Sequence, residues 1–511
     1  MSQKKQLAVN IASQIAAFMV DMAINFFLTT FLVNRLGESV YGFVGLAKNF
    51  TTYIAIFTVS FNSTLYRFVT IETNKNNYEA GNVYYTSVTL SNLGVSLILL
   101  APSALFALNI ERFIHISPEH VADVRLLWLA ILVSFLIALA GSSFAVSTFA
   151  TNRLDLNSKR QLESYVIRAA ILLALFTFYK PNVWYVGVST IISTLFVLII
   201  NYYYKRKLTP YLRANIKYFS WSAVGELIGL GIWNSFNRLS KILLDGLDLL
   251  IANLLISPEA MGLLAIAKVI PVQLQSFYTA VYNVFSPRIL ACYALDDRAG
   301  LLKEVRFVMR TCGYLGGVPI MGFAVFSEPF FNLWMNGLSA ESLHTVNILS
   351  LLTLLPIMFH VYVAPLYTVN MVTKKLKAPV LVSSGLGVVN TLLVLFLVKN
   401  TELGVYAVAG VSAALVILQV FTFSPAYAAR SLNEKLSTFY PALLRGVINN
   451  GFLFILFSIY RAAFSVHSWL ALGAGALACG AAGYISGLFI LFDGGERKSL
   501  ADMVVKRLKT N

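Results

Sequence analysis

The sequence is poor in charged residues, since only 12% of its 511 residues are Asp, Glu, Lys or Arg. A soluble chain carries about 25%, so this chain cannot cover a water-facing surface of ordinary charge density. Its residues are 58% hydrophobic, and its mean hydropathy is +0.73. These values predict a membrane protein and exclude a large soluble enzyme module.

Cysteines and phosphate-binding motifs are also scarce. The three cysteines, Cys292, Cys312 and Cys479, are far apart and have no nearby His ligands, so neither a disulfide framework nor a zinc site is predicted. No P-loop, phosphate-cradling glycine run or kinase-like motif set occurs, which argues against ATP hydrolysis. The sequence therefore predicts no cofactor and no metal.

Long apolar stretches bounded by polar loops are what the chain has in abundance. At roughly 20 residues per membrane-spanning helix, they predict an all-α polytopic membrane protein, and the alternating pattern of a barrel is absent. The fourteen predicted spans are 7–33, 41–66, 83–108, 126–150, 162–179, 183–204, 224–256, 261–285, 307–331, 343–369, 379–398, 403–427, 443–460 and 469–492.

Basic residues are distributed unequally between the predicted loops. With a cytoplasmic N-terminus, the inward segments hold 27 Lys and Arg residues and the outward segments hold six. Cytoplasmic loops carry such an excess, so we predict a bacterial cytoplasmic (inner) membrane protein with both termini in the cytoplasm. The same bias explains the net charge of +16 without a nucleic-acid partner.

An internal repeat with an offset of 220 residues predicts two related lobes. The offset aligns Gly42–Lys48 with Gly262–Lys268 and Asn76-Asn77 with Asp296-Asp297. Both copies run in the same direction, so the axis that relates them is expected along the membrane normal. The predicted divisions are an N-lobe (1–204, helices 1–6), a basic amphipathic segment on the cytoplasmic leaflet (205–221), a C-lobe (222–428, helices 7–12), and helices 13 and 14 with a basic tail (429–511).

Polar residues inside the spans form two stripes that the same offset places in register. Predicted helix 7 carries Glu226, Asn234, Asn237, Lys241, Asp245 and Asp248 at helical spacing, with Arg238 at the edge, and helix 1 carries Asn10, Gln14, Asp21 and Asn25. Helix 8 adds Lys268 and Gln275, and helix 2 adds Lys48. Ionisable groups at membrane depth are costly and mark functional sites.

These stripes predict a cavity between the lobes with a mixed charge. Its candidate substrate-binding cations are Lys48, Arg238, Lys241 and Lys268; its polar or coupling groups are Asp21, Asn25, Gln14, Asn234, Asn237, Asp245, Asp248 and Gln275. Lysine and arginine bind phosphate oxygens strongly, and amides and aromatic rings suit sugars. Two structural alternatives stay open. The acids pair with neighbouring cations within the bundle, and the side chains of Lys48 and Lys268 extend to the membrane interface.

Several short segments resemble polysaccharide-export proteins of the multidrug, oligosaccharidyl-lipid and polysaccharide flippase superfamily. They are Asp248–Asn253, Gly262, Ala267-Lys268, Ser286-Pro287-Arg288, Asp296-Asp297 and the first outer loop Gly37–Gly42. The resemblance implies a Wzx-type flippase that moves a polyprenyl-diphosphate-linked oligosaccharide across the membrane by alternating access. It also implies membrane lipid, H+ or Na+, and polysaccharide polymerase or glycosyltransferases as candidate partners.

Relatives in that superfamily that carry lipid-linked peptidoglycan precursor use cations on helices 1, 2 and 8, and a lipid groove made by helices 13 and 14. Lys48 and Lys268 fall on helices 2 and 8, whereas Asp21 occupies the helix-1 position. This departure keeps a cation-coupled multidrug antiporter as the alternative, with Asp21 carrying the coupling ion.

A membrane enzyme is a further alternative, because the outer loop 109–125 holds Glu111, Arg112, His115, Glu119, His120 and Asp123. A solvated charged loop is the ordinary meaning of such a segment, so no enzyme activity is predicted.

Overall fold

The structure is a computed structural model that describes residues 3–497, without the side chains of residues 3–5, 7, 8, 11, 61, 74 and 287. The predicted cytoplasmic charges of Lys498, Lys506, Arg507 and Lys509 lie outside the described residues. Within residues 3–497 the secondary structure is helical, as the sequence predicts, and contains no strand.

Two compact units make up the fold, Met1–Ala265 and Ile266–Asn511. The α-helices of the first are α1 (Gln3–Leu36), α2 (Glu38–Asn74), α3 (Tyr78–Leu108), α4 (Val121–Ala140), α5 (Val146–Ala150), α6 (Leu154–Phe178), α7 (Trp184–Leu208), α8 (Trp221–Lys241), α9 (Asp248–Leu255) and most of α10 (Pro258–Ala267). Those of the second are α11 (Val269–Ala294), α12 (Arg298–Trp334), α13 (Ala340–Val363), α14 (Leu366–Val372), α15 (Lys377–Asn400), α16 (Val405–Leu418), α17 (Ser424–Ser431), α18 (Tyr440–Ala463) and α19 (Trp469–Leu491).

Thirteen helical segments of the described chain are long and apolar enough to cross a membrane. The predicted span 224–256 is absent from this set. It corresponds to α8 and α9, which a π-helical turn at Ile242–Gly246 separates. Its charged residues, from Glu226 to Asp248, make it more polar than the other predicted spans. Its length and composition alone therefore do not identify it as a membrane-spanning helix.

In the first unit, α2 packs against α1, α3, α4, α8 and α9. The second unit has an equivalent centre in α12, which packs against α11, α13, α18 and α19. Because α8 packs against α2, the contacts divide the chain at 265, whereas the sequence suggests a division near 221. The predicted lobe boundaries stay predictions.

Two connections that the predicted repeat aligns, one in each unit, have a similar backbone. Asn76 and Asp296 both adopt a left-handed conformation, with φ values of 57° and 54°. Asn77 and Asp297 then cap the next helices, since their side-chain oxygens accept hydrogen bonds from the N–H groups of Ala80 (3.2 Å) and Gly300 (2.8 Å). Asn and Asp suit both positions. The two pairs thus have the same local structure, although Asn152, Lys374 and Asn433 adopt the same left-handed conformation, and the predicted repeat stays a prediction.

The glycines that the repeat aligns meet inside the first unit. A Cβ atom on Gly42 would lie 2.9 Å from the Cα atom of Gly262, and a Cβ atom on Gly262 would lie 2.1 Å from the carbonyl oxygen of Glu38. A side chain at either position would force α2 and α10 apart. Small residues permit this close approach of membrane helices, and the contact fixes the end of α2 that leads to Lys48.

The basic segment after the sixth predicted span is partly helical, because α7 continues to Leu208 and includes Lys205, Arg206 and Lys207. The following residues lie against α3. The Asn82 side chain donates to the carbonyl oxygen of Tyr211 (3.1 Å) and accepts from the N–H of Arg213 (2.7 Å), and Leu212 is fully buried. This connection therefore leads into α8 along a defined path.

Candidate functional site

The α2–α8 contact positions the first group of predicted site residues. A Cβ atom on Gly231 of α8 would lie 1.9 Å from the carbonyl oxygen of Ser60 on α2. The hydroxyls of Ser60 and Ser235 are 2.7 Å apart, and the Asn234 side chain donates to the Ser63 hydroxyl at 2.9 Å. Asn234, a predicted cavity group, thus joins two helices through its amide.

About two helical turns nearer the start of α2, a row of polar side chains begins. The guanidinium of Arg238 donates to the Thr52 hydroxyl at 3.4 Å, and Lys48 precedes Thr52 by four residues, which places both on one face of α2. The side chains of Lys48 and Arg238 are exposed at the surface of the unit. Lys48 lies about 15 Å along α2 from its first residue by helical rise. A charge at that depth is expensive in lipid, so this face is expected to line an aqueous space.

The row continues to α1 and α6 through Asp21. Asn25 donates to the Asp21 carboxylate at 2.9 Å and accepts from the Arg168 guanidinium at 3.3 Å. Asp21 also interacts electrostatically with Arg168 and Lys48. The structure therefore brings the predicted residues Asp21, Asn25 and Lys48 together within one unit.

Arg168 is a member of this row that the sequence analysis missed. A span that begins at residue 162, as the sequence predicts, puts Arg168 close to the end of its helix. The helix begins at Leu154, so Arg168 lies about 21 Å from that end by helical rise, near the middle of α6. The polar stretch Asp155–Arg160 hid the true start of α6. The one feature of the sequence that could have identified Arg168 as a site residue is its position within an apolar helix.

Asp248 departs from the predicted stripe on helix 7. It is 2% exposed, whereas Lys241 and Asp245 are exposed. The π-helical turn Ile242–Gly246 adds in effect one residue to the helix, which rotates later side chains by about 100°. Asp248 therefore does not share the exposure of Lys241 and Asp245, and its predicted role in the cavity stays a prediction. The same turn frees the carbonyl oxygen of Gly246.

Two side chains of α2 donate hydrogen bonds to the carbonyl oxygen of Gly246. Asn49 donates to the Gly246 oxygen at 3.3 Å, and the Tyr53 hydroxyl donates to the same oxygen. Tyr53 also interacts electrostatically with Asp245 and Asp248. Backbone groups at membrane depth need such partners, so the polar face of α2 both stabilises the π-helical turn and holds the acids beside it.

The remaining predicted site residues have more varied positions. Gln14 is exposed on α1, and Asn237 is half-buried on α8. Asn10, at the start of the helix-1 stripe, is buried and donates to the side chain of Asn152 at 3.1 Å, so it ties α1 to the start of α6. In the second unit, Lys268 occupies the turn between α10 and α11, and Gln275 is exposed on α11. Their predicted roles in substrate binding stay predictions.

The charged outer loop has contacts of a structural kind. Arg125 donates to both oxygens of Glu111, at 3.0 and 2.6 Å, and these hydrogen bonds lower the pKa of Glu111. His115 and Asn253 exchange hydrogen bonds of 2.8 Å from the His115 N–H and 3.0 Å to the His115 carbonyl oxygen. The loop is thereby fastened to α9. No group of three or more potential metal ligands occurs among the described residues.

The arrangement in the first unit is a face on which cations are in excess. The cations Lys48, Arg168 and Arg238 lie in this row with one acid, Asp21, and hydroxyl and amide groups lie between them. Such a surface can hold an anionic group that carries polar substituents, because guanidinium and ammonium groups donate charge-assisted hydrogen bonds.

Comparison with known proteins agrees with this architecture. Residues 7–292 match the family described as polysaccharide biosynthesis protein. The chain belongs to this family. It is also 27% identical, over 443 residues, to the membrane protein EpsK of Bacillus subtilis (strain 168), a match that covers 87% of this chain and 86% of EpsK. The predicted resemblance to polysaccharide-export proteins is confirmed.

Solved structures show the fold of this family member. The lipid II flippase MurJ in an inward closed conformation matches 92% of this chain and 97% of its own, with a TM-score of 0.63 and 14% identity. An inward-facing multidrug resistance transporter of the MATE family, in the MOP superfamily, matches 83% and 98%, with a TM-score of 0.62 and 12% identity. The protein is thus a multi-pass, all-helical membrane protein of the MATE and MurJ fold. The two proteins that share it are described as a flippase and a transporter.

Proposed function

We propose that this polysaccharide biosynthesis protein is a flippase that moves a polyprenyl-diphosphate-linked oligosaccharide from the cytoplasmic to the outer leaflet by alternating access. The observation that carries the proposal is the row Arg168–Asn25–Asp21–Lys48–Thr52–Arg238, which exposes two cations at membrane depth on one face of the first unit. A diphosphate is the chemical group that such a row binds best.

The polar groups beside the cations support a glycan attached to the diphosphate. Thr52, Asn237 and Gln14 offer donors and acceptors for sugar hydroxyls, and Trp233 is half-exposed beside Asn234. Lys268 and Gln275 of the second unit are proposed to contribute in the same way, because Lys268 is the repeat equivalent of Lys48. Polysaccharide polymerase and glycosyltransferases are proposed as the neighbours that use and supply the substrate.

The decisive experiment replaces Lys48 by Ala and measures surface glycan in cells that depend on this protein. Loss of a charge-assisted contact costs about tenfold or more in affinity, so we expect export to fall strongly while the protein stays folded in the membrane. The matched control is Lys75→Ala, at the far end of α2, where Lys75 is exposed and pairs with Glu72 at 3.1 Å. Unchanged export by the Lys48→Ala protein would reject the assignment.

One observation favours a second function, a cation-coupled multidrug antiporter. Asp21 is a carboxylate near the middle of α1, and its neighbours Asn25 and Lys48 could exchange partners when H+ or Na+ binds. If the protein has this second function, the Asp21→Asn substitution should abolish extrusion of a cationic dye. If glycan export falls and dye extrusion is unaffected, the flippase proposal stands and Asp21 serves it as a pairing or coupling residue.

The proposed location is the cytoplasmic membrane of a bacterium, with both termini in the cytoplasm. The ratio of 27 inward to six outward basic residues supports this orientation. Reporter fusions after Lys75 and after Lys180 test it, because these residues follow the second and fifth predicted spans. A cytoplasmic reporter signal after Lys75 and an external one after Lys180 are expected, and the reverse pattern would refute the orientation.

A further inference from the structure

Arg160, on the second turn of α6, is an arginine that neither the predicted cavity nor the site in the first unit uses. Its side chain is 3% exposed, and it lies about 9 Å from the start of the helix by helical rise. Arginines near helix ends usually extend to the membrane interface. Arg160 instead points into the unit, so its charge needs a partner there.

The hydrogen bonds of this guanidinium are incomplete. Its Nη2 atom donates to the side chain of Asn157, whereas Nε and Nη1 are buried and have no hydrogen-bond partner within the described part of the chain. Buried charges are normally paired and hydrogen-bonded. Two buried donors of one cation thus point to an acceptor that is not part of the chain.

No carboxylate of the described residues forms an ion pair that would neutralise the charge of Arg160. The groups that act on it electrostatically are the phenols of Tyr66 and Tyr204. Asp155, an acid on the same helix, is bound by both Nε and Nη2 of Arg153 at 3.0 Å. The positive charge at this end of the first unit is therefore in excess.

The two tyrosines can complete a binding site. The Tyr66 ring stacks on Phe149, with centroids 5.5 Å apart, and its hydroxyl lies 3.4 Å from the Ser142 carbonyl oxygen, a long contact that leaves it free to reorient. Tyr204 interacts electrostatically with both Arg160 and Arg153. One guanidinium edge and two hydroxyls are donors suited to the oxygens of a phosphate group.

We propose that Arg160, Tyr66 and Tyr204 form a phosphate-binding site in the first unit, at the end where α2 and α7 finish and α6 begins. Its depth below the helix start matches the headgroup region of a bilayer, and the basic residues Lys205, Arg206 and Lys207 of α7 follow Tyr204 directly. The ligand is the phosphate of a membrane lipid or free phosphate. This site is separate from the row around Lys48 and does not depend on the proposed transport function.

The test measures thermal stabilisation of the purified full-length protein in detergent. The probes are phosphatidylglycerol, a diacylglycerol with the same acyl chains, inorganic phosphate, and chloride at equal ionic strength. We expect phosphatidylglycerol to stabilise the wild-type protein and the diacylglycerol to have no such effect. Stabilisation by phosphatidylglycerol alone identifies a lipid as the source, and stabilisation by inorganic phosphate as well identifies a site open to soluble anions; both support the proposal.

Variants then assign the effect to this site. Arg160→Gln should weaken the apparent affinity for the stabilising probe about tenfold, Arg160→Lys should retain part of it, and the exposed control Arg67→Gln should retain all of it. Tyr204→Phe keeps the charge and should weaken the response, which provides a readout if Arg160 variants fail to fold. An equal response from phosphatidylglycerol and diacylglycerol in the wild type, or full responses from both Arg160→Gln and Tyr204→Phe, would overturn the proposal.

Discussion

Replacing Gly231 by Ala should separate α8 from α2, the helix that carries Lys48. The added Cβ atom would lie 1.9 Å from the Ser60 carbonyl oxygen, and contacts of real Cβ atoms essentially never fall below 3.0 Å, so the helices must part by about 1.1 Å. The obstacle is backbone rather than a flexible side chain, and therefore it cannot rotate away.

Three hydrogen bonds depend on this close approach. The Ser60–Ser235 contact is 2.7 Å, the Ser235 hydroxyl donates to the Ile56 carbonyl oxygen at 2.8 Å, and Asn234 donates to Ser63 at 2.9 Å. Each such bond between membrane helices contributes about 0.6 kcal/mol on average and at most about 1.7 kcal/mol. With the lost packing, Gly231→Ala should lower the free energy of unfolding by about 2–4 kcal/mol.

Gly229, two residues earlier on the same helix, provides the matched control. A Cβ atom there would meet no atom within 4 Å, and alanine favours the helix by up to about 1 kcal/mol over glycine. Gly229→Ala should therefore be neutral or stabilising. The free energies of unfolding can be compared by titrating the two purified variants from mild detergent into SDS. If Gly231→Ala is as stable as Gly229→Ala, the close α2–α8 contact does not exist as described.

Three further substitutions test local contacts. Tyr53→Phe removes a donor from the Gly246 carbonyl oxygen and should cost about 1 kcal/mol of unfolding free energy; an unchanged SDS midpoint would mean that Asn49 alone satisfies this carbonyl. Glu111→Gln should lower the thermal midpoint at pH 7. The hydrogen bonds from Arg125 lower the pKa of Glu111 in the folded state. The stabilisation from the Glu111 carboxylate is therefore present above its ordinary pKa of about 4.5 and is lost as pH falls through the lowered value. A difference in thermal midpoint between the wild type and Glu111→Gln that persisted below that value would contradict the reasoning. Arg310→Gln removes the contacts to Glu496 at 2.5 Å and to the Leu491 carbonyl oxygen at 3.3 Å. Because these contacts hold the segment after α19, a Glu-specific protease should cleave the variant faster after Glu496. An unchanged cleavage rate would mean that Arg310 does not hold this segment.

The sequence was sufficient for the fold class and for several features of the repeat. Hydropathy, helix length and charge bias depend on composition over about 20 residues, and a boundary error of a few residues does not change them. The turn pairs Asn76-Asn77 and Asp296-Asp297 were also recognisable, because left-handed turns and helix caps select Asn and Asp through local chemistry alone. Features that arise within a few residues were thus readable without tertiary information.

Boundary errors had consequences for individual side chains. The polar start of α6 at Leu154 hid eight residues of helix, so the predicted span 162–179 puts Arg168 near a helix end instead of in the middle of α6 beside Asn25. The π-helical turn at Ile242–Gly246 has a similar effect on Asp248, because regular helical spacing assumes 3.6 residues per turn throughout. Neither error could be corrected from periodicity, since the extra residue in the π-helical turn is stabilised by donors from another helix, Asn49 and Tyr53.

The polar stripes also show why residue type and spacing do not distinguish a binding group from a packing group. Asn234 and Arg238 are one helical turn apart on α8, yet Asn234 meets the Ser63 hydroxyl across a contact that Gly231 keeps tight, while Arg238 reaches past the edge of that contact to Thr52 and stays exposed. The difference depends on the facing helix, where Ser60 and Ser63 are small and allow close approach. The separation between α2 and α8 therefore decides which polar groups of one stripe hold the helices together and which remain exposed.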